Sequence, residues 1–225
     1  FNDAAAFFIV EMGANHLGEI RHLARITRPN AALITSIGRA HLEGLKNLKG
    51  VAQAKGELFE GLLGDAVAFV FGDDPHITKL PTRAQRVTYG FSALYDYGVE
   101  NLRFENGRTL FQIRARGEKY DVSLGLVGKH QAQNAVAAFA VAHHLGVKGP
   151  IIAERLSTFS MKINRGRRVN FHGTIFIDDT YNANPDSMHV TLQALCDEYP
   201  NEYRIGVLGG MRELGAMSPS LHREV

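Results

Sequence analysis

Ala5-Ala-Phe-Phe-Ile-Val10, closed by Glu11-Met-Gly-Ala-Asn15, and Ala31-Ala-Leu-Ile-Thr-Ser-Ile37, closed by Gly38-Arg-Ala-His41, decide the fold class of this chain. Both are short, continuous apolar runs that end in polar residues, the pattern of strands buried on both faces of a parallel sheet. Between them Ile20, Leu23, Ala24 and Ile26 recur at helical spacing from Gly18 to Thr27, and Arg28-Pro29 ends that helix. A second amphipathic stretch, Gly50 to Leu63, sets Val51, Leu58, Phe59 and Leu62 along one side. Apolar runs alternating with amphipathic helices are βαβ units.

From Ala66 to Leu126 the period falls toward two, with strands expected at Val67 to Phe71, Arg86 to Tyr89, Asn101 to Phe104, Thr109 to Arg114 and Tyr120 to Leu124. Asn106-Gly107 supplies a hairpin turn, because both residues tolerate the positive φ of a type I′ turn. This block reads as largely antiparallel. Helices are expected at Gln131 to Leu145 and around Ile151 to Phe159. The basic, irregular segment Lys162 to Arg168 marks a boundary, dividing residues 1–162 from 163–225. Beyond it, strand Thr174 to Ile177, loop Asp178 to Pro185, helix Asp186 to Tyr199 and strand Tyr203 to Leu208 predict one right-handed βαβ unit, the beginning of a second doubly wound domain. The expected class is α/β, with a mostly parallel sheet, helices and a smaller antiparallel portion, followed by the start of a Rossmann-like domain.

Composition narrows the function classes. With 225 residues and 45% hydrophobic content the chain can bury a sizeable core. Its formal charge of +2 comes from 25 basic and 23 acidic residues spread along the sequence, so neither a nucleic-acid-binding face nor a polybasic anchor is expected. Cys196 is the single cysteine, which excludes an internal disulfide framework and suits a reducing, cytoplasmic location. No apolar run is long enough to span a bilayer and no secretory signal is legible, so membrane insertion is not expected. Phe7 to Val10 already read as a buried strand and Ser220 to Val225 as an unfinished helix, and the chain is therefore expected to continue at both ends.

In open α/β sheets ligands gather beyond the carboxyl ends of the strands. The polar residues there are Glu11, His41, the Asp178-Asp179 pair and Gly209-Gly210. Taken singly, Glu11 and His41 are equally well read as solvated loop residues. Lys55 falls four residues after Val51 and four before Phe59, on the apolar face of its helix. A lone lysine there reads as a packed stem whose amine reaches water. An acid at one strand end, a histidine at the next and a lysine on the following helix form a constellation that the single readings do not explain.

At these residues the sequence resembles the Mur ligase family, and within it the branch that adds D-alanyl-D-alanine. The resemblance is carried by Glu11 to Ile20, Ala40 to Gly44 (Ala-His-Leu-Glu-Gly), Ala54 to Leu58 (Ala-Lys-Gly-Glu-Leu), Gly128 to Ala135, Asp178 to Pro185 (Asp-Asp-Thr-Tyr-Asn-Ala-Asn-Pro) and Met211 to Gly215. These segments stand in the family's order across nearly the whole chain. The resemblance implies a central ATPase domain followed by a mobile Rossmann-like domain. The implied reaction phosphorylates a terminal carboxylate with ATP and lets an amine attack the acyl phosphate. The implied substrates are UDP-N-acetylmuramoyl-tripeptide and D-alanyl-D-alanine, with ATP and Mg2+ as cofactors and a monomer as the working unit.

Carried over by motif, Glu11 is the magnesium carboxylate, His41 the magnesium-associated histidine, and Lys55 the lysine that becomes a carbamate. Lys55, His41 and Arg165 form the implied catalytic set, Arg165 being the arginine directed at the phosphates. His130 and Asn134 are implied to meet the adenine, and Asp179, Tyr181, Asn182 and Asn184 to form the loop that closes on nucleotide and substrate. Simpler readings stand beside these: helix-start residues for His130 and Asn134, and turn-forming residues for Asn182 and Asn184. Arg165 lies close to Arg167 and Arg168, so the register of its match is open.

Departures are also present. No Gly-x-x-x-x-Gly-Lys-Ser/Thr occurs in the chain, and Phe71 and Gly210 stand where the family has Asn and Asp. The missing phosphate loop leads to the expectation that these residues alone turn over no substrate. A sister ligase acting on another amino acid or on a folate shares Glu11, His41 and Lys55. A plain dinucleotide-binding module is opposed by the lack of a Gly-x-Gly-x-x-Gly turn, and a non-catalytic relative by the intact trio.

Overall fold

A computed structural model describes residues 5–160 and 166–225. Strands β1 (Ala31–Ile34), β2 (Val67–Phe71), β3 (Gln85–Gly90), β4 (Tyr97–Glu105), β5 (Arg108–Ala115) and β6 (Glu118–Leu124) form one six-stranded sheet in sequence order. β1 to β4 run parallel, and β4 to β6 pair antiparallel.

Burial follows that change of direction. Every residue of β2 is buried, as the run Val-Ala-Phe-Val-Phe requires of a strand covered on both faces. β5 instead alternates half-buried and buried residues along its length, the signature of one wet face. Residues such as Phe69 and Ile113, both fully buried, each contribute roughly 1.5–3 kcal/mol by leaving water. Asn106 (φ 49°) and Gly107 (φ 72°) form the expected β4–β5 turn. The block from Ala66 is therefore antiparallel only from β4 onward: β2 and β3, expected with it, are parallel because each is reached by a crossover through helix rather than by a hairpin.

Helices α1 (Glu19–Thr27) and α3 (Leu48–Glu60) pack on each other, with the single turn α2 (Leu42–Leu45) between β1 and α3. A further turn, α4 (Pro75–Thr78), follows β2 and is capped by Asp74, whose Oδ1 accepts from His76 N at 2.8 Å. α5 (Lys129–His144) lies against β2 to β5, and its buried Ala132, Ala135 and Ala140 allow close approach while Phe139 packs on Tyr97 and Tyr120. α6 (Gly149–Ser157) covers β6. The expected boundary at Lys162, like Arg165, lies outside the described residues.

Beyond it, β7 (Arg167–Phe171) and β8 (Thr174–Asp178) make an antiparallel hairpin, followed by α7 (Pro185–Glu198), a short 3-10 turn (Gly215–Met217) and α8 (Ser218–Glu224). Arg168 on β7 pairs with Glu198 at the end of α7 and donates to Gly107 O in the β4–β5 turn at 3.0 Å. Met211, Leu214 and Leu221 are buried in the same apolar cluster as Leu42 and Leu45, so the second segment seats on α2.

Two strands expected from the sequence are absent. Ala5 to Val10 is irregular and exposed, Ile9 reaching 90%, and Tyr203 to Leu208 is irregular with Val207 at 93%. The expected βαβ unit around α7 is therefore not formed, and β8 pairs antiparallel with β7 instead. An apolar run becomes a strand only when a neighbour supplies its hydrogen-bond ladder, and among the described residues neither run has one.

Candidate functional site

The loop between β1 and α2 is the centre of the candidate site. Leaving β1, it presents Thr35 O to the Gln133 side chain of α5 at 2.8 Å and Ser36 O to Lys55 Nζ at 2.7 Å. Ile37 N donates to Asp74 Oδ2 at 3.2 Å, and the buried Tyr89 hydroxyl donates to Ile34 O at 3.2 Å. Loop, helix and neighbouring strands thus grip the end of β1 from several sides.

Burial lowers the pKa of the Lys55 amine and the Asp74 carboxylate opposes that shift, so the neutral amine is closer to hand than in a solvated lysine. Burial also raises the Tyr89 hydroxyl, with Asp74 adding to it, which keeps that group a hydrogen-bond donor. Lys55 is half-buried, and its amine donates to a backbone carbonyl.

His41 adopts a left-handed conformation (φ 56°) and sets Nδ1 2.5 Å from Glu213 Oε2. Glu213 is itself left-handed (φ 60°), and its carbonyl accepts from Glu43 N at 2.9 Å. Two residues earlier in the loop, Arg39 meets Asp186 of α7 through its backbone N–H (2.6 Å), Nε (2.8 Å) and Nη2 (2.7 Å). Its Nη1 meets Glu224 of α8 at 2.7 Å. The two carboxylates hold the guanidinium's pKa above its ordinary value.

Glu11 lies exposed in an irregular loop. Among the described residues no three His, Cys, Asp or Glu side chains gather as a metal-binding group, His41 faces Glu213, and an ammonium on Lys55 repels cations. In this arrangement His41 is paired with Glu213 and the Lys55 amine with Ser36 O.

At the start of α5, burial lowers the pKa of His130 while Asp179 opposes the shift, so the loop after β8 carries its charge close to the imidazole. Gly128 (φ 126°) stands so near α7 that an added Cβ would lie 3.5 Å from Ala194 Cβ. Asn134 is exposed one turn further along α5. In the loop after β8, Asp179 Oδ2 accepts from Thr191 Oγ1 at 2.6 Å, and Asn182 Oδ1 accepts from Ala183 N at 2.9 Å. Asn184 caps α7, accepting from Ser187 N at 2.9 Å, while Tyr181 is exposed. His130 thus lies within electrostatic reach of Asp179, whereas Asn184's oxygen is committed to its helix.

Glu57 was not singled out by the sequence. Only 2% exposed, it accepts from Gly18 N (2.8 and 3.0 Å) and Arg21 N (3.1 Å), capping α1 in place of the side chain that Gly18 lacks. The available signal was a second charge within the apolar pattern of α3, two residues after Lys55.

Comparison with known proteins matches residues 1–142 to the Mur ligase middle domain and 164–225 to the Mur ligase glutamate ligase domain. UDP-N-acetylmuramoyl-tripeptide--D-alanyl-D-alanine ligases of Haemophilus influenzae and Escherichia coli are 35% and 36% identical over 97% of this chain and 48% and 49% of their own lengths. The chain spans about half the length of these curated relatives. MurF from Acinetobacter baumannii superposes with a TM-score of 0.87 at 32% identity over 95% of this chain and 47% of that one. The MurF ligase from Thermotoga maritima in complex with ADP gives 0.82 at 25% identity, over 94% and 49%.

Proposed function

The chain belongs to the Mur ligase family, and from that premise we propose that the enzyme containing it joins D-alanyl-D-alanine to UDP-N-acetylmuramoyl-tripeptide at the expense of ATP. The observation that carries this reading is identity above one third to ligases of that specificity along 97% of the chain, across both matched domains. The γ-phosphoryl group passes to the tripeptide's terminal carboxylate, releasing ADP. The dipeptide amine then attacks the acyl carbon, the C–O bond to phosphate breaks, and the nitrogen loses its proton. Positioning and neutralisation of phosphate charge supply most of the acceleration of such steps.

His130 and Asn134 at the start of α5, with Asp179, Tyr181, Asn182 and Asn184 opposite, are the proposed nucleotide-side residues. The electrostatic influence of Asp179 on His130 supports that grouping. Arg165 is the proposed phosphate-facing cation. Magnesium is proposed for the whole enzyme from the chemistry of phosphoryl transfer, with Glu11, His41 and Lys55 as its candidates only after rearrangement.

Lys55 is proposed to carry a carbamate: the neutral amine attacks carbon dioxide, an N–C bond forms and a proton leaves. Its lowered pKa supports this, while Asp74 makes the resulting anion dependent on a cation nearby. A division at residues 162/163, a monomer and a cytoplasmic location complete the reading. No helix among the described residues is long and apolar enough to cross a membrane.

The test is ADP release by the enzyme containing these residues, with UDP-N-acetylmuramoyl-tripeptide and, in turn, D-alanyl-D-alanine, D-glutamate or diaminopimelate. Release only with D-alanyl-D-alanine is expected, and dependence on another amine instead would overturn the assignment. Lys55→Arg is expected to lose activity on the order of a hundredfold or more, because a guanidinium cannot become an anion. Full activity in that variant would remove the carbamate.

A further inference from the structure

The contacts between the β1–α2 loop and the second segment are more than a casual meeting of charges. Arg39 offers its backbone N–H and two side-chain nitrogens to one carboxylate, Asp186, and a third side-chain nitrogen to another, Glu224. Close approach is built into the backbone on both sides. A Cβ on Gly38 would lie 2.9 Å from Asp186 Oδ2, and one on Gly215 (φ 54°) would lie 3.3 Å from Glu43 Cα. The neighbouring His41–Glu213 pair holds both partners at positive φ, a conformation that persists only where surroundings over-determine it.

Beneath these polar contacts Met211, Leu214 and Leu221 are buried with Leu42 and Leu45. Apolar burial of this kind gives adhesion without direction, whereas a guanidinium fork donates to carboxylates in few geometries. Asp186 stands in the first turn of α7, two residues after Asn184 and four after Asn182. Whatever fixes Asp186 therefore fixes the place of the loop that precedes it.

We propose that Arg39 is a positioning residue: through Asp186 and Glu224 it sets where the second domain, with its Asn182 to Asn184 loop, seats on the loop that carries His41. Arg39 touches no reacting atom in this assignment. Its effect on turnover rests on the ligase reading given above, but the seating itself does not.

The experiment uses spin labels on the exposed native Cys196 of α7 and on Leu94→Cys, a residue 94% exposed between β3 and β4, with distances measured on the enzyme containing these residues, any other cysteines replaced, without substrate. The parent is expected to give one narrow distance distribution. Arg39→Ala and Asp186→Ala should each broaden it, the double variant should be no broader than either, and Arg39→Lys should fall between. Asp186→Asn, which nearly preserves shape, is read in the same way should an alanine variant fail to fold.

In the enzyme, Arg39→Ala should lower kcat by roughly ten- to a hundredfold, with KM for ATP within about twofold and an unchanged melting temperature. A narrow, parental distance distribution in Arg39→Ala overturns the proposal, and so does a parental kcat despite broadening. Absence of D-alanyl-D-alanine-dependent turnover in the parent would sink the ligase reading alone, because the distance measurement contains no substrate.

Discussion

Replacing Glu57 by glutamine should destabilise the chain by about 2–3 kcal/mol, although the two side chains have nearly the same shape. The carboxylate serves two backbone donors at the start of α1, Gly18 N and Arg21 N, and stands 3.5 Å from the Arg21 guanidinium. Glutamine keeps one oxygen for those donors and turns an NH2 group into the same pocket, toward which those N–H groups already point. It also removes the negative charge that the exposed helix N-terminus favours. Each charge-assisted bond weakens by about 1 kcal/mol and the helix-end attraction is lost, which gives the total above. Glu57→Ala, which leaves both donors without an acceptor, should cost more, roughly 3–5 kcal/mol. Urea unfolding followed by far-ultraviolet circular dichroism measures the global loss, and amide exchange across α1 localises it. A Glu57→Gln midpoint within about 0.5 kcal/mol of the parent, together with unchanged exchange in α1, would show that the cap contributes nothing.

Three further outcomes are expected. His130 has its pKa pushed below the ordinary 6.5 by burial, so as pH falls through that value the unfolded chain takes up a proton that the folded chain refuses, and stability declines; His130→Gln should flatten that slope in urea midpoints taken between pH 7 and pH 5. Thr109 is fully buried, donating to Leu126 O at 2.6 Å and accepting from Gly128 N at 3.2 Å, so Thr109→Val should cost about 1–3 kcal/mol and accelerate exchange at Gly128. Asn184→Ala removes the cap of α7 and should cost about 1 kcal/mol, read as faster exchange in its first turn.

The strands that the sequence predicts best are those whose pattern already contains their environment. β2 is legible end to end because only a strand covered on both faces tolerates five consecutive buried apolar residues. The β4–β5 turn is legible because Asn106-Gly107 satisfies its backbone locally. Ala5 to Val10 and Tyr203 to Leu208 misled because apolarity says that a segment can be buried and says nothing of which neighbour will pair with it. β7 was hidden by its own composition, Arg-Arg-Val-Asn-Phe, which reads as a basic connector until β8 is seen beside it. At the site, Lys55 was legible as a charge on an apolar face, and its burial follows. Arg39 and Asp186 were not, because they stand 147 positions apart and an ion pair between distant loops leaves no periodic trace.

α7 is fastened at both of its ends. Asp186 in its first turn is gripped by Arg39, and Glu198 at its last is paired with Arg168, which reaches on to the carbonyl of Gly107. Residues 186 and 198 are about 18 Å apart along a helix rising 1.5 Å per residue. A bar pinned at two such points, on faces about 120° apart at 3.6 residues per turn, cannot slide, swing or roll without breaking one of them. The start of α5, where Gly128 lies beside Ala194, therefore faces one fixed side of α7.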